Sequence, residues 1–477
     1  MSGWFPRITL HSLTVMVSLL IYVLTTRAVR ERRPPSIAIA WVLGLIALPY
    51  LVLPMYLLFG RRKLPRKQSH RTGPCAASDH WAEELIESFD LPGACPAAVR
   101  MHADGNESAE ALFATLQSAR SRIDLCTYIL GNDPFGRSVM QCMADCVKRG
   151  VQVRLLLDGF GALQLPRWCF ERLEQAGIET AIFSPLFARK TQGPRNLRNH
   201  RKMTIADGRK LWAGGRNLAA EYFTGEGGRP PWRDLSFDLE GDVAAAAAKQ
   251  FEADWVAAGG KPASQDELEM TAADIASQIL TEGSDLSSPI PRAASRPHAR
   301  GRAQFLPSGP DQTEDTVHSL LIDACFHARE RMLAVTPYFV PDASLEVAMR
   351  LAARRGVRID LCIPAVSNHR LADFARNRAL RALTRAGVNV HLLPGMNHAK
   401  AVVFDKSLGI TGSVNLDSRS LLLNYESAVV FYGRHEIDWL SDWIKALMTD
   451  SRPFDASRPN IVRDLLEGLL LTVAYQL

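Results

Sequence analysis

The pattern His-x-Lys-x-x-x-x-Asp occurs twice in this chain, at His200/Lys202/Asp207 and at His398/Lys400/Asp405. With 12 His and 11 Lys among 477 residues, random placement yields such a pattern about 0.02 times, so two copies mark a duplication. The copies also agree downstream: Gly214 and Gly412 each follow the His by fourteen positions, and Asn217 and Asn415 by seventeen. A chain with this duplication is expected to fold as two like units arranged about one site.

Each motif reads as strand, turn, strand: Lys202 to Ala206, the turn Asp207-Gly208, then Lys210 to Ala213; and Ala401 to Phe404, Asp405 to Ser407, then Leu408 to Thr411. Side chains alternate along a strand, so His and Lys at i and i+2 share a face, while the Asp has the opposite parity. The His-Lys pair is therefore the reactive element; Asp207 and Asp405 are counted with it in the catalytic motif, where parity assigns them to fixing the turn.

Shorter stretches repeat as well. Ile123-Asp-Leu-Cys-Thr-Tyr128 parallels Met332-Leu-Ala-Val-Thr-Pro-Tyr338, and Lys148-Arg-Gly-Val-Gln-Val153 parallels Arg354-Arg-Gly-Val-Arg-Ile359. Apolar strands alternate with helical patterns at 134–149 and 345–355, closed by Gly150 and Gly356. The expected class is α/β, with two pseudo-symmetric units at 97–260 and 303–450, each with its own mixed sheet. Residues 68–96 and 261–302 read as linkers, the second with a helical pattern at 267–280. The stretch from Gly177 to His200 spans 23 positions against 11 from Gly387 to His398, which makes 189–198 an insertion. The tail, 451–477, reads as an amphipathic helix with Ile461, Leu465 and Leu469 on one face and Asn460 as cap, either packed on the domain or lying on a membrane.

Residues 1–67 predict a two-helix transmembrane anchor with a basic flank. The apolar runs Ile8 to Thr26 and Ile37 to Phe59 are close to the ~20 residues a helix needs to cross a bilayer. No small-x-small cleavage site follows the first run, which argues against a signal peptide. Seven basic side chains flank the two runs and four lie between them, an asymmetry that places the main body in the cytoplasm. Residues 1–71 carry a net +10, which leaves −4 on the remainder of a chain whose total is +6. Nucleic-acid binding needs basic surface on the binding domain, so this distribution disfavours nucleic acid and favours anionic lipid as partner. The eight cysteines form no metal-spaced cluster and read as reduced core residues. No oligomeric state is indicated.

The paired H-x-K-x(4)-D motifs with their trailing Gly and Asn resemble the phospholipase D superfamily. Tyr56-Leu-Leu-Phe-Gly60, Trp232-Arg-Asp234, Phe251-Glu-Ala-Asp-Trp255, Pro337-Tyr-Phe-Val-Pro341 and Gly412-Ser-Val-Asn-Leu-Asp-Ser-Arg-Ser420 narrow the resemblance to the bacterial cardiolipin synthase family, over nearly the whole chain. A phosphodiester resists attack because its anionic oxygens repel the nucleophile, so catalysis needs positive charge, a nucleophile and an acid for the leaving alkoxide. Two His-Lys pairs supply all three without a metal or other cofactor.

The resemblance implies a multi-pass protein of the bacterial inner membrane that joins two phosphatidylglycerols into cardiolipin and glycerol through a phosphohistidine. It casts His200 as nucleophile and His398 as acid and base, roles that near-symmetric motifs allow to be exchanged. Lys202, Lys400, Asn217, Ser413 and Asn415 would hold the phosphate, and Asp234 and Glu426 would orient the histidines. A phospholipase D-type hydrolase or another phosphatidyltransferase is the alternative, with a membrane-tethered nuclease less favoured.

Overall fold

Strand-forming runs of Val, Ile, Leu and Ala recur in the same sequence in both halves. In the first they give β1 (Cys95–His102), β2 (Arg122–Thr127), β3 (Gln152–Asp158), β4 (Glu179–Phe183), β5 (Met203–Ala206), β6 (Lys210–Gly214) and β7 (Ser236–Glu240). In the second they give β8 (Arg300–Ser308), β9 (Arg331–Val335), β10 (Phe339–Val340), β11 (Arg358–Pro364), β12 (Asn389–Leu393), β13 (Ala401–Phe404), β14 (Leu408–Gly412), β15 (Leu416–Asp417), β16 (Glu426–Phe431) and β17 (Arg452–Pro453). The computed structural model describes residues 10–29, 35–60, 63, 78, 80–185, 196–262 and 300–473. The expected helix at 267–280, nearly all of the basic flank after residue 60, and Arg189 and Arg195 of the insertion lie outside these residues.

The spatial order is β1-β7-β6-β5-β2-β3-β4 in one unit and β8-β16-β14-β13-β9-β11-β12-β17 in the other. Parallel pairing runs from β2 through β3 to β4 and from β9 through β11 to β12, and the other ladders of the sheet are antiparallel. Each unit thus has the mixed sheet expected of it, but the two sheets are not separate. β1 pairs antiparallel with β8, from Cys95↔Ala303 to Ala98↔Arg300, and fuses them into one sheet of 15 strands among the described residues. The correction has a simple cause: each unit would otherwise expose its first strand as an unpaired edge, and joining edges satisfies both rows of backbone groups.

Helices cover both faces. Asp242–Ala257 and Arg434–Met448 pack on the face shared by the units, where Phe251, Trp255, Ile437, Leu440 and Ile444 are buried with Phe237 and Phe431. Helices such as Pro134–Lys148 and Ala343–Arg354 cover the opposite face. Asp133 and Asp342 accept their first-turn amides, and Gly150 and Gly356 leave them with positive φ.

The amino-terminal region differs from the two spans expected. It forms α1 (Leu10–Val29), α2 (Pro35–Ala47) and α3 (Pro49–Phe59), so the second run is broken at Leu48. Pro49 disfavours helical backbone at the residue before it, and Leu48 sits at φ −137°, ψ 59°. Among the described residues no helix is long and apolar enough to cross a membrane. The three helices pack through Tyr22, Leu45 and Tyr56, with Thr25 and Tyr56 sharing a 2.6 Å hydrogen bond.

Candidate active site

The two motif histidines stand just before β5 and β13, at the seam between the units. There the units exchange backbone bonds. The His200 amide donates to the Tyr425 carbonyl at 2.8 Å and the Tyr425 amide to Arg198 at 2.9 Å; the His398 amide donates to Arg233 at 2.6 Å and the Arg233 amide to Met396 at 3.1 Å. Each histidine segment is thereby tied beside the segment that carries the other unit's carboxylate. His200 Nδ1 lies 2.9 Å from Glu426 Oε1 and 3.1 Å from Oε2, and His398 Nδ1 lies 2.8 Å from Asp234 Oδ2. The site is complete only when both units are present.

Alternation puts Lys202 and Lys400 on the same side as the histidines. Lys202 Nζ donates to the His200 carbonyl at 2.8 Å, and Lys400 Nζ donates to the His398 carbonyl and lies 2.8 Å from His398 Nδ1. The intervening Arg201 points the other way and donates to Asp254, Asp311 and the carbonyls of Glu426 and Ser308, clamping the units behind the site.

Burial governs the electrostatics. It pushes the Lys202 ammonium down to about 8 and that of Lys400 to about 7, against the pull of Glu426 and Asp234. It also lowers both imidazoles: Glu426 opposes the fall at His200, while the Lys400 charge deepens it at His398. The neighbouring positive charge of His398 and Lys400 outweighs burial at Asp234 and holds that carboxyl down to about 2.

Other residues marked by the sequence take varied places. Asp207 accepts the amides of Arg120, Ser121 and Arg122, and Asp405 those of Arg329, Glu330 and Arg331, each at 2.8–2.9 Å. Both occupy positive φ, at 51° and 48°, at the far end of the strand from the lysine, so they lock the hairpin to the preceding loop and do not join the histidines. Ser413 Oγ, expected on the phosphate, instead donates to Glu426 Oε2 at 2.5 Å, because β14 and β16 pair beside it. In the first unit Gly215 takes its place, and a Cβ there would meet Asp234 Oδ1 at 2.2 Å. The shorter Asp234 needs that room, which accounts for the Gly/Ser difference between the copies. Asn217 Nδ2 donates to the Tyr222 hydroxyl at 2.7 Å, while the buried Oδ1 atoms of Asn217 and Asn415 have no hydrogen-bond partner among the described residues.

Sequence reasoning did not single out the aromatic wall. The Tyr128 ring lies 5.0 Å from that of His200, and Tyr338 and Tyr222 lie 6.4 and 5.1 Å from His398. The signal was available, since Tyr128 and Tyr338 end the two parallel stretches of the repeat. Among the described residues, no group of three or more His, Cys, Asp or Glu side chains is placed to hold a metal ion.

Paired histidines, each facing a carboxylate and flanked by a lysine, on a duplicated α/β scaffold, define an enzyme of the phospholipase D superfamily. Residues 112–255 and 321–448 match the family described as cardiolipin synthase, PLD-like domain, and residues 15–61 match a phospholipase D-nuclease N-terminal family. The chain belongs to the cardiolipin synthase family. It is 31% identical over 443 residues to cardiolipin synthase A of Pseudomonas aeruginosa (strain LESB58), covering 88% of this chain and 85% of that one. It is 29% identical to cardiolipin synthase A of Pseudomonas putida (strain W619), covering 94% and 95% respectively. The fold is similar to that of phosphatidylserine synthase from Haemophilus influenzae Rd KW20, with a TM-score of 0.59 at 13% identity over 83% of this chain and 99% of that one.

Proposed function

We propose that the chain moves a phosphatidyl group from one phosphatidylglycerol to the hydroxyl of another, making cardiolipin and glycerol, with His200 as nucleophile and His398 as acid and base. The observation that carries the assignment is the asymmetry of the two imidazoles. His200 Nδ1 faces both oxygens of Glu426 with no lysine on its ring, and its side chain is 13% exposed against 5% for His398. A proton held on Nδ1 by Glu426 leaves Nε2 with a lone pair to attack phosphorus.

The P–O bond to glycerol then breaks as His398 donates a proton to the departing oxygen. Burial depresses His398 most and the charges of Lys400 and Lys202 add to it; an anionic phosphate held by those lysines offsets their field, so substrate binding itself raises the acid's proton affinity. With its amide turned, Asn217 would accept from Tyr222 and direct Nδ2 to the phosphate. His398, now neutral, takes the proton of the second lipid's hydroxyl, which attacks the phosphohistidine and frees His200.

The amino-terminal helices support a cell-membrane location, and the excess of basic residues flanking the two apolar runs over those between them favours the cytoplasm for the catalytic part. Leu13, Met16, Leu20, Leu24 and Leu43 face outward, while the Thr25–Tyr56 hydrogen bond is inside the bundle. The test is wild-type protein in vesicles containing labelled phosphatidylglycerol. Labelled cardiolipin with one glycerol released per molecule is expected, and phosphatidic acid without cardiolipin would replace this reading with hydrolysis.

A pH dependence follows. In the empty site the lysines lose their protons as pH rises through 7 to 8, and the neutral amines no longer attract phosphate. Above pH 8, kcat/KM, which reports free enzyme, should fall about tenfold or more per pH unit, while kcat, measured with the anion in place, holds about one unit higher. Parallel profiles for the two parameters would show that the lysines do not titrate in the free enzyme.

A further inference from the structure

We infer that the mouth of the site is itself a bilayer-docking surface, in which matched loops of the two units enter the lipid interface and take phospholipid directly from it. The inference rests on the phospholipid-substrate reading and adds where the lipid surface sits.

The loops after β3 and β11 occupy equivalent places at the end of the sheet where the histidines stand. In the first unit, Asp158 accepts the amides of Phe160 and of Asn199, the neighbour of His200, and Gly161 packs so closely on the Tyr128 backbone that a Cβ would meet its carbonyl oxygen at 1.6 Å. In the second, the Tyr338 hydroxyl donates to Asn368 at 2.5 Å while its ring faces His398. Both loops are thus tied to the aromatic wall, yet large apolar side chains turn to the outside there: Phe160 and Leu163 in one unit, and in the other Val366 with Leu371 in the first turn of the helix Arg370–Arg385 that follows, all more than half exposed. Their recurrence at the equivalent place in both units forms an apolar rim around the mouth of the site.

Three further features point to lipid. Trp168 is exposed beside a cleft of about 400 Å³ that it lines with Arg137 and Arg172, an aromatic and basic mixture suited to anionic headgroups on a catalytic part whose net charge is negative. The first turns of the helix Ile461–Val473 present apolar side chains outward: Glu467 is buried against Arg381 of the helix Arg370–Arg385, Arg463 lies over Phe374 of the same helix, and Ile461, Val462 and Leu466 are exposed. Its start thereby lies toward Leu371. Finally, Lys63, just beyond α3, donates to the carbonyls of Gly309 and Gln312 in the loop after β8, whose last residue Ser308 pairs with Glu426. The amino-terminal helices therefore join the body at the same end of the sheet as the site.

The test compares full-length wild type with the variant Phe160→Ser/Leu163→Ser/Val366→Ser/Leu371→Ser, both reconstituted through their own amino-terminal helices. On vesicles of phosphatidylglycerol and phosphatidylethanolamine the variant should turn over at least about tenfold more slowly, and on short-chain phosphatidylglycerol below its critical micelle concentration within about twofold of wild type. Equal loss in both formats, or no loss on vesicles, overturns the proposal, and Phe160→Leu with Val366→Ile should keep vesicle activity. A readout independent of catalysis is quenching of Trp168 by phospholipid brominated near the glycerol end of its acyl chains, taken as the difference between wild type and Trp168→Phe. Quenching is expected, and its absence overturns the proposal even if the enzyme makes cardiolipin; quenching without any cardiolipin would leave the surface standing and remove the functional reading instead.

Discussion

Alanine at His200 should lower cardiolipin formation by about 10⁴-fold or more, with membrane insertion and melting temperature unchanged. The size follows from what the proposed mechanism loses: its nucleophile, an imidazole that faces Glu426 through a 2.9 Å contact. His398→Ala should match it with natural substrate, because glycerol leaves as an alkoxide unless protonated. The two losses should not add, since the histidines serve the same two-step exchange, and the double variant should be no worse than either single one. Lipid products quantified by mass spectrometry give the comparison, and a His200→Ala enzyme retaining a tenth of its activity would remove that residue from the chemistry.

The second large effect is on stability. Arg201 is fully buried and holds Asp254 and Asp311 together with the carbonyls of Glu426 and Ser308, so it links the helix Asp242–Ala257 of one unit to two strands of the other. Arg201→Met strands the Asp254 carboxylate, whose pKa burial already raises, without its counter-charge, at a cost of about 3–5 kcal/mol. Arg201→Met/Asp254→Asn removes the buried pair, leaving only the part-exposed Asp311 carboxylate of the cluster, and should recover much of that loss. Thermal unfolding of the three proteins reads the effect directly, and a single variant melting with wild type would show that the clamp adds nothing.

Both predictions draw on features that were unequally legible in the sequence. The His-Lys pairs, the hairpins and the turn role of the aspartates follow from parity and spacing within a dozen residues, and local rules are strong at that range. Asp234 and Glu426 came from resemblance, and nothing local says that each serves the other unit's histidine, because the bridges at Asn199↔Tyr425 and Arg233↔Asn397 join segments far apart in sequence. The fusion through β1 and β8 was hidden for the same reason: neither edge strand reveals its partner in its own residues. Ser413 misled because a hydroxyl inside a motif looks like a phosphate donor, whereas β16 places a carboxylate beside it. The break at Leu48 was legible, since Pro49 interrupts the apolar run, but hydrophobic length outweighed it.

The covalent step is tested most directly by a labelled phosphatidyl ester of p-nitrophenol, whose leaving group departs without needing a proton. His398→Ala should then release a burst of one nitrophenolate per enzyme and stall with the phosphatidyl label on His200, while His200→Ala should give neither burst nor label. A burst that survives in His200→Ala with label on His398 would exchange the roles, and steady turnover with no labelled protein in any variant would contradict a phosphohistidine altogether.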